Sequence, residues 1–321
     1  MAIRVNVDNF VRAETARMLA DIQTGAGGVN TFRHNREPAP IDEQTVIRLN
    51  RDTFYSFAVV DLASGGRLSM PDPGDRYVSI MVVNEDHLIN EVHHGAGPFD
   101  LDADRAGTRY ALVAVRTLVD SDDPNDIAAV SALQDQYHLE LPSAEPFAMP
   151  EYDAVSLGET RDALLELARG LDDLDGMFGS RDEVEPVRHL IGTAAGWGGL
   201  PTSEAVYVGM EPQLPRGTYA MTFQDVPVDA FWSVSVYNAA GFFEPNSSGT
   251  YTVNSVTGTP DADGSITVHL VSGDDLGDLR NAIQTPADWN LLIRLYQPRS
   301  EVLDGSWTPP QIVSVGGPAS R

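Results

Sequence analysis

The stretch Asn50-Arg51-Asp52-Thr53-Phe54-Tyr55-Ser56 is the densest polar group beside a strand-like segment in this chain. If residues 49–56 are extended, Asn50, Asp52 and Phe54 share one face, and Arg51, Thr53 and Tyr55 share the other. A carboxylate, an amide and a phenol at a strand end could bind a polar substrate, with Asp52 orienting a water and Tyr55 beside it. The same residues also suit a turn whose Asn and Asp satisfy backbone amides while Arg51 pairs with an acid. His189 is the second candidate. It follows Arg188 ahead of the glycine-rich turn Gly196-Trp197-Gly198-Gly199, and histidine alone has an unperturbed side-chain pKa near neutrality. Arg188 and His189 could hold a carboxylate while Trp197 stacks on a ligand; a histidine hydrogen-bonded across a helix–sheet junction is the structural alternative. The candidate set is therefore Asp52, His189 and Tyr55 for catalysis, with Asn50, Arg51, Arg188 and Trp197 for binding.

The inventory of side chains narrows the chemistry further. There is no cysteine, and all 21 basic residues are arginine. Thiol nucleophiles, disulfides, cysteine-ligated metals, Schiff bases and Ser–Lys catalysis are thereby excluded. Glu91, His93 and His94, with His87 and Asp86 nearby, invite a metal reading. On a strand, however, His94 points away from Glu91 and His93, and no third ligand stands at a telling distance, so no metal is expected. Asp120-Ser-Asp-Asp-Pro-Asn-Asp126 resembles a calcium loop in composition but lacks its central glycine and its final glutamate. Forty-seven acidic residues against 21 basic give a formal charge of −26. Such a surface repels nucleic acids and anionic membranes, and it keeps a chain dissolved. No apolar run reaches the ~20 residues of a membrane helix, and the first residues lack the apolar core of a secretory signal; a soluble, cytoplasmic protein is expected.

The elements that must position these residues are mostly strands. Asp229-Ala-Phe-Trp-Ser-Val-Ser-Val-Tyr-Asn238 alternates with period two, placing Trp232, Val234 and Val236 on one face and Phe231, Ser233, Ser235 and Tyr237 on the other. It has an echo in Asp75-Arg-Tyr-Val-Ser-Ile-Met-Val-Val-Asn84, at a spacing of 229 − 75 = 154 residues. Each copy follows a short strand (Arg67–Met70; Thr218–Phe223) and precedes a strong one (Tyr110–Arg116; Asn290–Tyr296), which predicts an internal duplication of a β-unit. Asp229, Trp232, Tyr237 and Asn238, with Arg294 and Tyr296, could form a binding face on the second copy, although alternating aromatics are as a rule core. Helices are expected over residues 8–23, capped by Asp8 and stopped by Gly25–Gly28, after Asp123-Pro124, after a Ser156/Glu159 capping box, and over 182–195. Thr45–Leu49 reads as the first strand of the first unit. The organisation expected is an N-terminal helix plus first β-sandwich (1–120), a helical connector (121–201) and a second β-sandwich (202–321).

Several blocks in order carry a resemblance: Asn50–Ser56, Asp75-Arg-Tyr77, Pro186–Pro201, Val226–Asn238, Leu291–Tyr296 and Asp304-Gly-Ser-Trp307. Through them the chain resembles a family of bacterial and archaeal proteins made of two adjoining domains of unknown function, numbered 1254 and 1214. The resemblance implies a mainly β architecture of two tandem jelly-roll-like sandwiches with attached helices, similar to the double jelly-roll capsid proteins of some viruses. It implies no established reaction. Some relatives carry a carboxylesterase label, but this chain has no Gly-x-Ser-x-Gly elbow.

Two functions remain open on these residues. One is a cofactor-independent hydrolase or lyase acting on a small polar or carbohydrate-like molecule, with Asp52 or His189 as base and arginines holding an anionic group. The other is a non-catalytic module that binds a small ligand or self-assembles through its sheets. A monomer or small homo-oligomer is expected in either case. Convergence of the Asn50 and His189 segments on one concave pocket would favour the enzyme; separate burial would favour the module.

Overall fold

A computed structural model of the chain describes residues 2–44, 47–171 and 173–315. It is mainly β with attached helices: sixteen strands in four sheets and six helices among the described residues. The chain divides into two compact units, residues 1–37 with 53–202, and residues 38–52 with 203–321.

The first unit is a two-layer sandwich. Its larger sheet runs, from one edge, Arg33–His34, Thr53–Asp61, Tyr110–Leu118, Val78–Asn84 and Ile89–His94; the smaller runs Phe99–Leu101, Gly66–Ser69 and His138–Glu140. Alternation along each strand decides what lies between them. Ala58, Val60, Val78, Ile80, Val82, Val113 and Val115 turn inward to meet Leu68, Met70, Leu101 and Tyr137. Three helices, Phe10–Ala26, Ala154–Ala168 and Pro186–Ala195, pack on one another. Buried Glu14 pairs with Arg17 on its own helix and pins the first helix to the second through Arg161. The first helix stops at Gly27 in the left-handed conformation, as the glycine cluster predicts. Its cap is Asn9, not Asp8, and the Asn9 side chain accepts from the Asn6 N–H rather than from the helix. Asp123 and Pro124 do open a helix, with Asp123 accepting from Asn125 N–H. In the next one Asp153 is the cap and accepts from Ser156, which lies inside the helix instead of ahead of it.

The second unit is built the same way. One sheet runs Thr252–Asn254, Trp232–Tyr237, Asn290–Tyr296 and Ala205–Met210; the other runs Ala282–Gln284, Ile266–Val271, Thr218–Phe223 and Val313–Ser314. Trp232, Val234, Val236, Leu291, Ile293 and Leu295 meet Met221, Phe223, Val268 and Leu270 between them. On the opposite face of the first sheet Ile41 and Leu49 pack on Tyr237, Phe243 and Leu292. Gln44 donates to the Phe243 carbonyl (2.8 Å) and Arg48 N–H to that of Gly241 (2.7 Å). The strand expected over Thr45–Leu49 is not formed at Ile47–Leu49, which begin with a turn; Thr45 and Val46 lie outside the described residues. A short apolar run laid across a sheet has the same composition as a strand within one.

The duplication extends to topology. Leaving aside the small strands Arg33–His34 and Ala282–Gln284, each unit has seven strands, numbered here by their order in that unit. In both, one sheet has the order fourth, third, sixth, first, and the other the order fifth, second, seventh. Ile80 pairs with Val115, and Val234 with Ile293, at equivalent core positions.

Candidate functional site

Polar side chains that cannot enter the sandwich core line the opposite face of one sheet in each unit, and strand register puts them in rows. In the second unit Asn254 pairs with Ser233, Ser233 with Arg294 and Arg294 with Tyr207. In the first, His94 pairs with Ser79, Ser79 with Arg116 and Arg116 with Tyr55. These are the same four strands in the same order. Each row is centred on a buried arginine beside a buried serine.

A buried guanidinium must find acceptors for its N–H groups. Arg294 donates to Ser235 Oγ (2.8 Å), to Tyr237 Oη (2.8 Å) and to the Arg48 carbonyl (2.7 Å). Burial works against its charge, but the phenols of Tyr237 and Tyr296, together with Asp52, outweigh it and hold the arginine firmly protonated. Burial, first of all, also pushes the Tyr237 phenol upward, leaving a neutral hydroxyl. Arg116 donates to the Gly198 carbonyl (2.6 Å), lies over the Tyr55 ring (5.4 Å) and approaches Met81 Sδ (3.9 Å). Both covering carbonyls belong to left-handed residues, Arg48 (φ 52°) and Gly198 (φ 77°).

Asp52 joins the second row. It is only 1% exposed, and its Oδ1 accepts from Thr252 Oγ1 (3.0 Å) and Asn254 Nδ2 (3.3 Å), while Oδ2 has no hydrogen-bond partner. Asn50 supports it, accepting from Asp52 N–H (2.9 Å) and donating to Tyr296 Oη (2.9 Å). Arg51 donates to the Ala39 carbonyl and lies over the Tyr251 ring (5.3 Å). Tyr55 belongs to the other unit, where it stacks on Phe57 (5.4 Å) beneath Arg116.

His189, Arg188 and Trp197 also belong to the first unit. The His189 helix ends at Gly196 as the sequence predicts, but the ring meets the Met177 carbonyl at Nδ1 (3.0 Å) and the Asp86 carbonyl at Nε2 (3.1 Å). Neither nitrogen is left for a substrate proton. Arg188 holds the 173–175 loop, reaching the Asp173 carbonyl (2.8 Å) and carboxylate and the Asp175 carbonyl. Trp197 stacks on His87 (5.2 Å) and donates to Thr15 Oγ1 (3.2 Å). His87 is the residue this motif is built around. Thr193 Oγ1 donates to the His189 carbonyl (2.8 Å), so it accepts from His87 Nδ1 (2.9 Å), and His87 Nε2 accepts from Gly198 N–H (2.9 Å). Full burial first, and the neighbouring His189 second, hold His87 well below the ordinary histidine range, which keeps this neutral tautomer. Gly192, Gly196 and Gly199 leave room for the Phe178 ring.

Residues 29–87 match the protein of unknown function DUF1254, and residues 211–300 match the protein of unknown function DUF1214. Both parts of the two-domain resemblance are thus matched by a family model. The DUF1254 stretch contains Asp52, Ser79 and His87, and the DUF1214 stretch contains Ser233, Asn254 and Arg294. The fold is shared with the crystallised VPA0106 protein of Vibrio parahaemolyticus (TM-score 0.73, 17% identity, 97% of this chain and 98% of that one). It is also similar to an uncharacterised protein of Burkholderia cenocepacia (TM-score 0.53, 13% identity, 96% of this chain and 87% of that one). No curated protein matches the chain.

The remaining candidates have plain structural partners. Asp229 pairs with Arg299 at the surface (2.6 Å), and Trp232 stacks on Phe223 (4.1 Å) within the core, so the face proposed for Trp232 is corrected. Asn238 closes a turn, accepting from Ala240 and Phe242 N–H groups. Glu91 meets His93 (3.2 Å) and Arg105, and among the described residues no three ligand-type side chains gather for a metal. Sequence reasoning missed Arg116, Ser79 and the pairing of the two arginines. The signal was a lone arginine in each of two apolar strands. The offset 294 − 116 = 178 differs from the 154 of the echo, because the second unit has longer loops before its sixth strand.

Proposed function

We propose that this protein is a non-catalytic module that binds a small polar ligand, rather than a hydrolase or lyase. The observation that supports this reading is how the best-placed catalytic side chains are used. Both His189 nitrogens end on backbone carbonyls, and Asp52 is buried in a different unit with one oxygen engaged by Thr252 and Asn254. A general base needs reach to a substrate proton, and neither residue offers it. A shallow, open depression lined by Gly66, Arg67, Asp100, Glu140, Leu141 and Pro142 includes none of the candidates. Donor-rich rows that end in aromatic rings are instead suited to holding a ligand. The test pairs a thermal-shift panel of small acids, sugars and polyols with a turnover screen of esters, lactones and glycosides. Stabilisation by a panel member without turnover is the expected result. Turnover abolished by His189→Ala in a variant that stays folded would overturn the reading.

A further inference from the structure

We infer that His34, Ser56 and Gln134 form a proton-operated latch, which holds the edge strand Arg33–His34 on Thr53–Asp61 at neutral pH and releases it in mild acid. The inference is independent of the ligand reading above and concerns the first unit alone.

The direction of each hydrogen bond is fixed by the one before it. Gln134 is fully buried, and its Nε2 donates to the Asn35 carbonyl (3.1 Å) and to Ser56 Oγ (3.2 Å). A carbonyl can only accept, so Asn35 sets the amide with its nitrogen towards the strand. Ser56, also fully buried, therefore turns its own proton to His34 Nδ1 (2.8 Å). An imidazole nitrogen that accepts carries no hydrogen, so His34 is neutral with its proton on Nε2. The ring is packed in this state, stacked on Phe32 (5.5 Å) and edge-on to Tyr137 (6.1 Å).

A second proton on His34 must go to Nδ1, the nitrogen that Ser56 uses. Nδ1 then donates to Ser56 Oγ, and the Ser56 proton loses its acceptor. The spare acceptor beside it is Gln134 Oε1, which is buried and has no hydrogen-bond partner. A buried group of that kind calls for an explanation, and a second state that uses it supplies one. To present Oε1 the amide must turn, which takes Nε2 from the Asn35 carbonyl and sets oxygen against oxygen there. The strand depends on this contact because it is short: two residues pair with Phe57 and Ser56, and Asn35 N–H donates to the Tyr55 carbonyl (2.8 Å). Proton uptake on a half-buried ring is thereby converted into release of backbone.

The charges around the ring act in the same sense. Burial first, and Arg36 second, lower the His34 pKa, while Asp135 works the other way. Arg36 keeps Asp135 ionised, burial keeps Tyr137 neutral, and Arg33 reaches away to Gly25, so His34 is the group here that changes charge in mild acid. Below about pH 6.5 a released strand takes up a proton that the closed one refuses, so closure weakens as the pH falls.

The test is hydrogen exchange on the full chain by NMR, with rates corrected for the intrinsic effect of pH. Protection of Asn35 N–H should fall by about tenfold from pH 7.5 to 5, the linkage of roughly one pKa unit. In His34→Gln, whose side-chain oxygen accepts from Ser56 without titrating, it should stay level. Gln134→Leu has no amide to turn, and Asn35 should be poorly protected there at both pH values. The Val113 amide, in the middle of the same sheet, should behave alike in wild type and His34→Gln and so reports the rest of the molecule. Long-range proton–nitrogen correlation in the wild type should show His34 protonated at Nε2 at pH 7.5. A proton on Nδ1 at that pH, a level Asn35 in the wild type, or an equal fall in His34→Gln would overturn the inference.

Discussion

Gly199→Ala tests whether the glycine-rich motif is a packing device. A methyl at this position would meet two atoms of the Phe178 ring at 2.7 Å, with Cε2 closer still. Carbon atoms at optimal separation stand ~3.5–4.0 Å apart, so the ring would have to retreat by roughly 1 Å. It has no room to do so. Phe178 is buried, Gly192 and Gly196 close on the same ring, and His87 meets it edge-on at 5.9 Å. Overpacking of this kind costs ~1–3 kcal/mol. Unfolding in urea, followed by circular dichroism, should show that loss as a lower midpoint with an unchanged slope. Phe178→Leu alone should also destabilise, by opening a cavity. The double variant Gly199→Ala/Phe178→Leu should be more stable than the sum of the two losses predicts, because the smaller side chain removes the clash. Strict additivity, or a Gly199→Ala protein as stable as wild type, would refute the packing argument.

Two further predictions follow from buried ionisable groups. His87 is held neutral by burial first and by His189 second, so below about pH 6.5 the unfolded chain binds a proton that the folded chain refuses; stability should fall by up to ~1.4 kcal/mol per pH unit until the folded-state pKa is reached. His87→Asn tolerates the left-handed backbone (φ 58°) and removes the titration, so stability measured from pH 7 to 5 should decline less steeply than in wild type; an equal slope would contradict the assignment. Arg294→Met strips Ser235, Tyr237 and the Arg48 carbonyl of their donor and leaves Asp52 without its countercharge, at a cost of ~3–5 kcal/mol. Adding Asp52→Asn should recover part of that loss in urea unfolding, and no recovery would mean that the two charges do not interact.

Much of the fold was legible because alternation is a strong signal where one strand face is dry. Val78, Ile80 and Val82, like Trp232, Val234 and Val236, announce their inward face in the sequence, and the shared Asp, Ser, Val and Asn of the echo identified the duplicated strand. The helix starts were less legible. Asp8 and Asn9, or Asp153 and Ser156, are equally good caps by residue type, and only the backbone geometry selects one. The site was least legible. Asp52 and Asn50 were visible as a dense polar group, yet their partners Asn254 and Tyr296 lie some 200 residues or more away in sequence. His189 drew attention through its chemistry, while His87, the more enclosed ring, has acids and amides beside it in sequence and reads as the start of a strand over His87–Val92. Arg116 looked like a strand end, and Arg294 like one member of a binding face. Only register places each beside a serine with an unpartnered hydroxyl.

A thermal-shift panel of small acids, sugars and polyols, run beside a turnover screen of esters, lactones and glycosides on the same protein, tests the ligand-binding reading most directly. The account predicts stabilisation by a small polar compound without turnover. Turnover that His189→Ala abolishes in a variant that stays folded would contradict it.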